Sequence, residues 1–191
     1  MVLFYVQHLL GIGHFRRTLA LARACVDAGV GAQVISGGMP VQPTSGTAVR
    51  VHQLEPVRSA DLYFSAVVDS QGKPVTQHLQ QRRNKQLLDL FHDLNPKMLV
   101  TELFPFGRRR FRFELLPLLE AAKTQGTGVV CSVRDSIQRR TADREAETVK
   151  VLRSYYQKVL IHGVENFLPF SDSFGKAREV DDLLHYTGLV D

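Results

Sequence analysis

The sequence is poor in the features that usually announce a class. Its 191 residues include no tryptophan and two cysteines, Cys25 and Cys131, each in an apolar context. Such thiols suit a reduced, buried state better than a bridge, so the fold must rest on its hydrophobic core. The length is ample for one domain with a full core. No apolar run approaches the ~18 residues that a membrane span requires. Met1 leads straight into a β-like run, without a basic n-region or cleavage site, and the expectation is a cytoplasmic protein. Internal repeats, low-complexity tracts and linkers are missing. The seven histidines include no ligand pair at i, i+4, so neither a metal nor another cofactor is expected. A Gly-Lys-Ser/Thr phosphate loop and a Gly-x-Ser-x-Gly elbow are also lacking, which excludes a P-loop and a serine nucleophile of that type.

What is there is ordinary for a folded protein, with 44% hydrophobic and 23% charged residues. The net charge of +5 allows an anionic partner, whether nucleotide, phosphorylated lipid, membrane surface or nucleic acid. Arg82-Arg83, Arg108-Arg109-Arg110 and Arg139-Arg140 are short, scattered clusters without interleaved aromatics. They read as a solvated face, and no nucleic acid is expected.

Short apolar runs alternate with segments of helical period. Strands are predicted at Leu3 to Val6, Ala32 to Ser36, Val49 to Leu54, Met98 to Thr101, Gly128 to Val133 and Lys158 to His162. The Val49 run is short and alternating, as an edge strand is. Helices are predicted after Gly13, from Thr76 to Leu94, before Gly126 with Pro117 as a kink or late start, over 141–156, and near 176–184. From Pro56 to Pro74 periodicity is poor, and a loop of that length often carries function. Strands joined by helices in this way predict an α/β fold with a doubly wound parallel sheet of six to seven strands. Tyr186 to Val190 reads as a further strand beginning, which places a domain over 1–185 and the start of a connection at 186–191.

Ligands of such a sheet sit beyond the carboxyl ends of its strands, next to strand one. The turn Gly11-Ile12-Gly13-His14 lies at that edge. Gly11 and Gly13 let a ligand approach the backbone, and the helix that follows presents free N–H groups and its positive end. The dinucleotide fingerprint is incomplete, because Arg16 stands where a third small residue belongs and strand two ends in Ser36-Gly37-Gly38 without an acid. NAD is therefore disfavoured, while an NADP or other nucleotide site stays open. His14 reads either as a structural residue at a helix start or as a general base. Glu102 and Asp135, at the ends of neighbouring strands, are the carboxylates that could orient it. Arg134 either pairs with Asp135 or contacts substrate.

These residues, together with Thr101-Glu102-Leu103-Phe104-Pro105-Phe106-Gly107-Arg108-Arg109, Ser132-Val133-Arg134-Asp135 and Tyr186-Thr187-Gly188, resemble the amino-terminal half of GT-B glycosyltransferases related to glycosyltransferase family 28. That family includes the lipid II-forming N-acetylglucosaminyltransferase, whose corresponding glycine loop is longer. The resemblance covers essentially the whole chain and implies a Rossmann-like domain that holds the acceptor. A nucleotide-sugar donor would be bound mainly by a carboxyl-terminal half outside this chain. It further implies His14 as the base acting on the acceptor hydroxyl. Glu102 is the expected catalytic partner, and Gly11, Gly13, Gly37, Gly38, Arg134 and Asp135 are the expected substrate-binding positions. A non-catalytic module docking on a separate donor-binding subunit is the alternative.

Overall fold

The computed structural model describes residues 1–41 and 48–190; Asp191, the last residue of the predicted connection, lies outside the described residues. Seven strands form one all-parallel sheet in the order β3-β2-β1-β6-β7-β8-β9. They are β1 (Val2–Val6), β2 (Ala32–Ser36), β3 (Arg50–Gln53), β6 (Met98–Glu102), β7 (Gly128–Arg134), β8 (Lys158–His162) and β9 (Leu184–Tyr186). The chain steps outward from β1 to β2 and β3, then returns to β6 on the other side of β1. The switch point therefore lies between β1 and β6, as in doubly wound sheets that carry ligands there.

Alternation along the strands assigns the two faces. Phe4, Val6, Val34, Val100 and Val130 point to helix α1 (Gly13–Asp27) and pack with its Phe15, Leu19 and Ala22. Leu3, Tyr5, Ile35, Leu99, Cys131, Val159 and Ile161 point the opposite way. There they meet α2 (Gln77–Leu94), α3 (Arg112–Gln125) and α4 (Ala142–Tyr155). Burial of both faces explains why the central strands read as continuous apolar runs. Both cysteines are free, and Cys131 is buried. No described helix is long and apolar enough to cross a membrane.

Four expectations need correction. The stretch from Pro56 to Pro74 is not a plain loop but carries a small antiparallel hairpin, β4 (Val57–Ser59) with β5 (Val67–Asp69). Three-residue strands are too short to show a period. The last predicted helix is a 3-10 segment, Ala177–Leu183, and the strand beyond it is Leu184–Tyr186, not a run starting at Tyr186. Tyr186 still pairs with Ile161, and Thr187 N donates to Ile161 O at 2.9 Å. Pro117 gives no late start, because α3 begins five residues earlier and runs through it after a 3-10 turn at Arg109–Phe111. Finally, Arg83 is not part of a solvated face: it is fully buried, whereas its neighbour Arg82 pairs with Glu55 at the surface.

Candidate functional site

At the carboxyl ends of β1 and β6 the chain turns twice. After β1 it runs through residues 7–12 into α1, and after β6 through residues 103–108. The second turn holds two non-glycine residues in the left-handed region, Leu103 at φ 69° and Arg108 at φ 57°. Such conformations are sparsely populated and gather where surroundings impose them.

The expected partnership of histidine and carboxylate forms here. His14 Nδ1 lies 2.9 Å from Glu102 Oε1. The imidazole side chain is 31% exposed and the glutamate 2%. Arg17, one turn along α1, forms an ion pair with the same Glu102 oxygen, and Ser132 Oγ donates to Oε2 at 2.6 Å. Burial alone would raise the Glu102 carboxyl, but the His14 hydrogen bond, the Arg17 charge and the Ser132 hydroxyl together hold it below its ordinary value. An ionised carboxylate only accepts, so His14 Nδ1 carries the proton. Its second ring nitrogen, Nε2, makes no hydrogen bond among the described residues, so in the neutral ring its lone pair is unengaged. That arrangement can take a proton from a group presented at the edge of the sheet.

The six other candidate positions divide. Gly11 and Gly13 are exposed, neither has a positive φ, and a Cβ added at either would meet nothing within 4 Å. The chain itself therefore does not require glycine there. Gly37 and Gly38 are different. A Cβ on Gly37 would fall 2.1 Å from Gln7 Oε1 and 2.7 Å from Arg83 Nη2, and one on Gly38 would fall 2.4 Å from His8 Nε2 and 2.5 Å from the His8 carbonyl. Internal packing accounts for both. Asp135 does not reach His14: its carboxylate packs against Gly163 and accepts from Ser136 N at 2.8 Å. Arg134 is exposed and, among the described residues, makes no ion pair with Asp135.

Sequence reasoning missed several neighbours. Arg17 stands three residues after His14, the spacing at which helical side chains share a face. Arg108 Nε donates to Gln7 O at 2.5 Å. Burial lowers the Arg108 pKa, with the charges of Glu102 and Tyr5 opposing. His162 Nε2 lies 2.9 Å from Ser132 Oγ, and His162 Nδ1 lies 2.8 Å from Thr187 Oγ1. The hairpin also forms one wall of a cavity of about 380 Å³, lined by Val57, Ala66, Val67 and Val75 on one side and by Arg110, Phe111 and Phe113 on the other. That volume falls in the range of small-molecule pockets. Ser59 N donates to Leu9 O and Val57 N to Gly37 O, so β4 is tied to the turns that follow β1 and β2.

No family model matches the sequence, and a comparison with curated proteins gives no match either. Solved structures do match. A glycosyltransferase from Rickettsia africae superposes with a TM-score of 0.61 at 13% identity, over 97% of this chain and 41% of that one. A UGT transferase from Siraitia grosvenorii, in complex with UDP, gives 0.56 at 15% identity over 98% and 50%. MurG from Acinetobacter baumannii gives 0.50 at 11% identity over 85% and 42%. The fold is that of one half of a GT-B glycosyltransferase. The chain spans half or less of the length of each of these three, and at such identities the likeness is one of fold.

Proposed function

We propose that this chain is the acceptor-holding half of a glycosyltransferase, in which His14 is the general base and Glu102 orients it. The observation that carries the reading is the pairing of a partly exposed His14 with an ionised, buried Glu102 at the switch point of the sheet. Support comes from the fold shared with glycosyltransferases, one of them solved with UDP. In the reaction His14 Nε2 takes the proton of an acceptor hydroxyl. The oxygen forms a bond to the anomeric carbon of a nucleotide sugar as the bond from that carbon to the phosphate oxygen breaks, and the nucleoside diphosphate leaves with the electron pair. Glu102 stabilises the imidazolium without taking the proton itself, the division of labour seen in other histidine and carboxylate pairs.

The cavity beneath the β4–β5 hairpin is the seat of the acceptor's apolar body. Gly11 and Gly13, open to the outside and not needed by the chain, leave room for the reacting end beside His14. The nucleotide sugar is held mainly by a second half.

Two measurements test this. In an enzyme completed by a donor-binding half, His14→Ala lowers turnover by about 10²-fold or more, the usual scale for removing a general base; a loss under about threefold returns His14 to a structural role. In the 191-residue chain alone, an aromatic alcohol shifts amide resonances at Gly11 to His14 and at Ala66 and Val67, while a UDP-sugar causes little change. A tight, stoichiometric complex of this chain with the UDP-sugar overturns the division of labour.

A further inference from the structure

Beyond the pair of His14 and Glu102, a line of buried polar side chains crosses three strands. Glu102 on β6, Ser132 on β7 and His162 on β8 have the parity of Val100, Val130 and Leu160, so all three project to the α1 face at its carboxyl edge. They are 2%, 1% and 5% exposed. Groups so far from water must satisfy one another. We propose that Ser132 and His162 are positioning residues for the base, fixing the Glu102 carboxylate so that His14 is held in the form that carries its proton on Nδ1. The proposal rests on reading His14 as the base.

Proton counting gives the line a direction. Ser132 has one hydroxyl proton and two neighbours, Glu102 Oε2 at 2.6 Å and His162 Nε2 at 2.9 Å. An ionised carboxylate cannot donate, so the hydroxyl proton goes to Glu102 and His162 Nε2–H donates to Ser132 Oγ. The neutral His162 ring then accepts at Nδ1 from Thr187 Oγ1, 2.8 Å away. Thr187 has other acceptors, Ile161 O at 3.3 Å and Gly188 O at 3.2 Å, but both are longer. Every proton in the line points toward Glu102. Ser132 holds one carboxylate oxygen, and the other is left to His14 and Arg17.

The consequence lies in what Arg17 does otherwise. Arg17 Nη2 is 3.4 Å from His14 Nδ1 as well as paired to Glu102 Oε1. A guanidinium can only donate, so it favours an unprotonated Nδ1, and with it a proton on Nε2. That tautomer has no lone pair on the outward nitrogen and cannot act as base. Two neighbours of one nitrogen thus favour opposite tautomers, and the position of the carboxylate decides between them. Without Ser132, Glu102 is free to turn to Arg17, and His14 Nδ1 passes to the guanidinium.

The test is the tautomer itself, read from long-range 1H–15N correlations of the imidazole nitrogens in the 15N-labelled 191-residue chain, with the amide spectrum reporting the fold. In the unsubstituted chain the Nδ1–H form of His14 is the major one. In Ser132→Ala it falls to a minority, in His162→Phe it falls less far, and Ser132→Thr, which keeps the hydroxyl, restores it. An unchanged His14 tautomer in both folded Ser132→Ala and folded His162→Phe overturns the proposal. Should Ser132→Ala fail to fold, the result for His162→Phe decides alone. Glu102→Leu separates the two levels. If it removes the Nδ1–H form while the Ser132 and His162 variants do not, the pair stands and only the extension falls; if it leaves the tautomer unchanged, both fall.

Discussion

Arg83 donates to Glu114 twice, from Nε to Oε2 at 3.0 Å and from Nη2 to Oε1 at 2.7 Å, with both side chains fully buried between α2 and α3. The remaining guanidinium protons go to Gln7 Oε1 and to the carbonyls of Gly37 and Glu55, so all five are used. Tyr5 adds a hydrogen bond to Glu114 Oε1. This knot joins α2, α3, β1 and the turn after β2 on the sheet face opposite α1. Removing one partner leaves the other as an uncompensated buried charge, at a cost of about 3–5 kcal/mol. Arg83→Met and Glu114→Leu should each lower the unfolding free energy measured in urea by that amount. The double variant should recover only in part, because two carbonyls and Gln7 also lose their donor.

The four candidate glycines separate packing from ligand contact. Gly38→Ala places a methyl group against the His8 ring and backbone, and Gly37→Ala against Gln7 and the locked Arg83. Each should cost about 1–3 kcal/mol, the usual penalty of overpacking. Gly13→Ala meets open space at a helix start and should stabilise by about 0.4–1 kcal/mol, through the restricted unfolded chain. If the turn serves a ligand, this variant melts higher but binds the acceptor less well. Thermal melts beside a binding titration read both effects.

Much of this was legible in the sequence, and what was not has physical reasons. The strands and the His14 turn followed from apolar runs and glycine placement, and the carboxylate at the end of β6 from counting along the strand. Arg83 was misread because two adjacent arginines look like a solvated cluster. The stripe Leu79, Arg83, Leu87 and Phe91, at steps of four on one helix, nonetheless places it inside. The same holds for Ser132 and His162, whose parity with Val130 and Leu160 fixes their face. What parity cannot supply is register between strands, and without the pairing of Glu102 with Ser132 the polar line is invisible. The β4–β5 hairpin is stabilised by contacts with Leu9 and Gly37, distant in sequence, so its three-residue strands carry no local signature.

Acid should destabilise the fold in two stages. Burial lowers the pKa of His8 and His162, assisted by the positive Arg108 at the first and by Arg17 at the second, where Glu102 opposes. The unfolded chain takes up protons near the ordinary value of 6.5 while the native state does not, so stability falls as pH drops below that value, until the native rings also protonate. Glu102 acts lower. Its native pKa lies below the ordinary 4.5, so its contribution is present above that value and is lost as pH falls through the native pKa. Urea midpoints measured between about pH 7 and pH 5 should decline in the unsubstituted chain. His162→Gln, which cannot take up the proton in either state, should decline less steeply over the same range.

The cavity can be closed without touching the base. Ala66 is exposed on the hairpin, next to Ser65, whose carbonyl accepts from Arg110 Nη2 at 2.8 Å, and it lines the cavity together with Phe111 and Phe113. Ala66→Phe fills part of the 380 Å³ while leaving the sheet, the α2 and α3 packing and the His14 pair as they are. Because the position is exposed, stability should stay within about 0.5 kcal/mol. Acceptor analogues with a bulky apolar body should lose at least about tenfold in affinity, equivalent to about 1.4 kcal/mol, whereas a small alcohol that does not fill the cavity should bind as before. Equal loss for both would mean that the hairpin affects the His14 turn through its tie to Leu9, and equal retention would move the acceptor's apolar body elsewhere on the sheet edge.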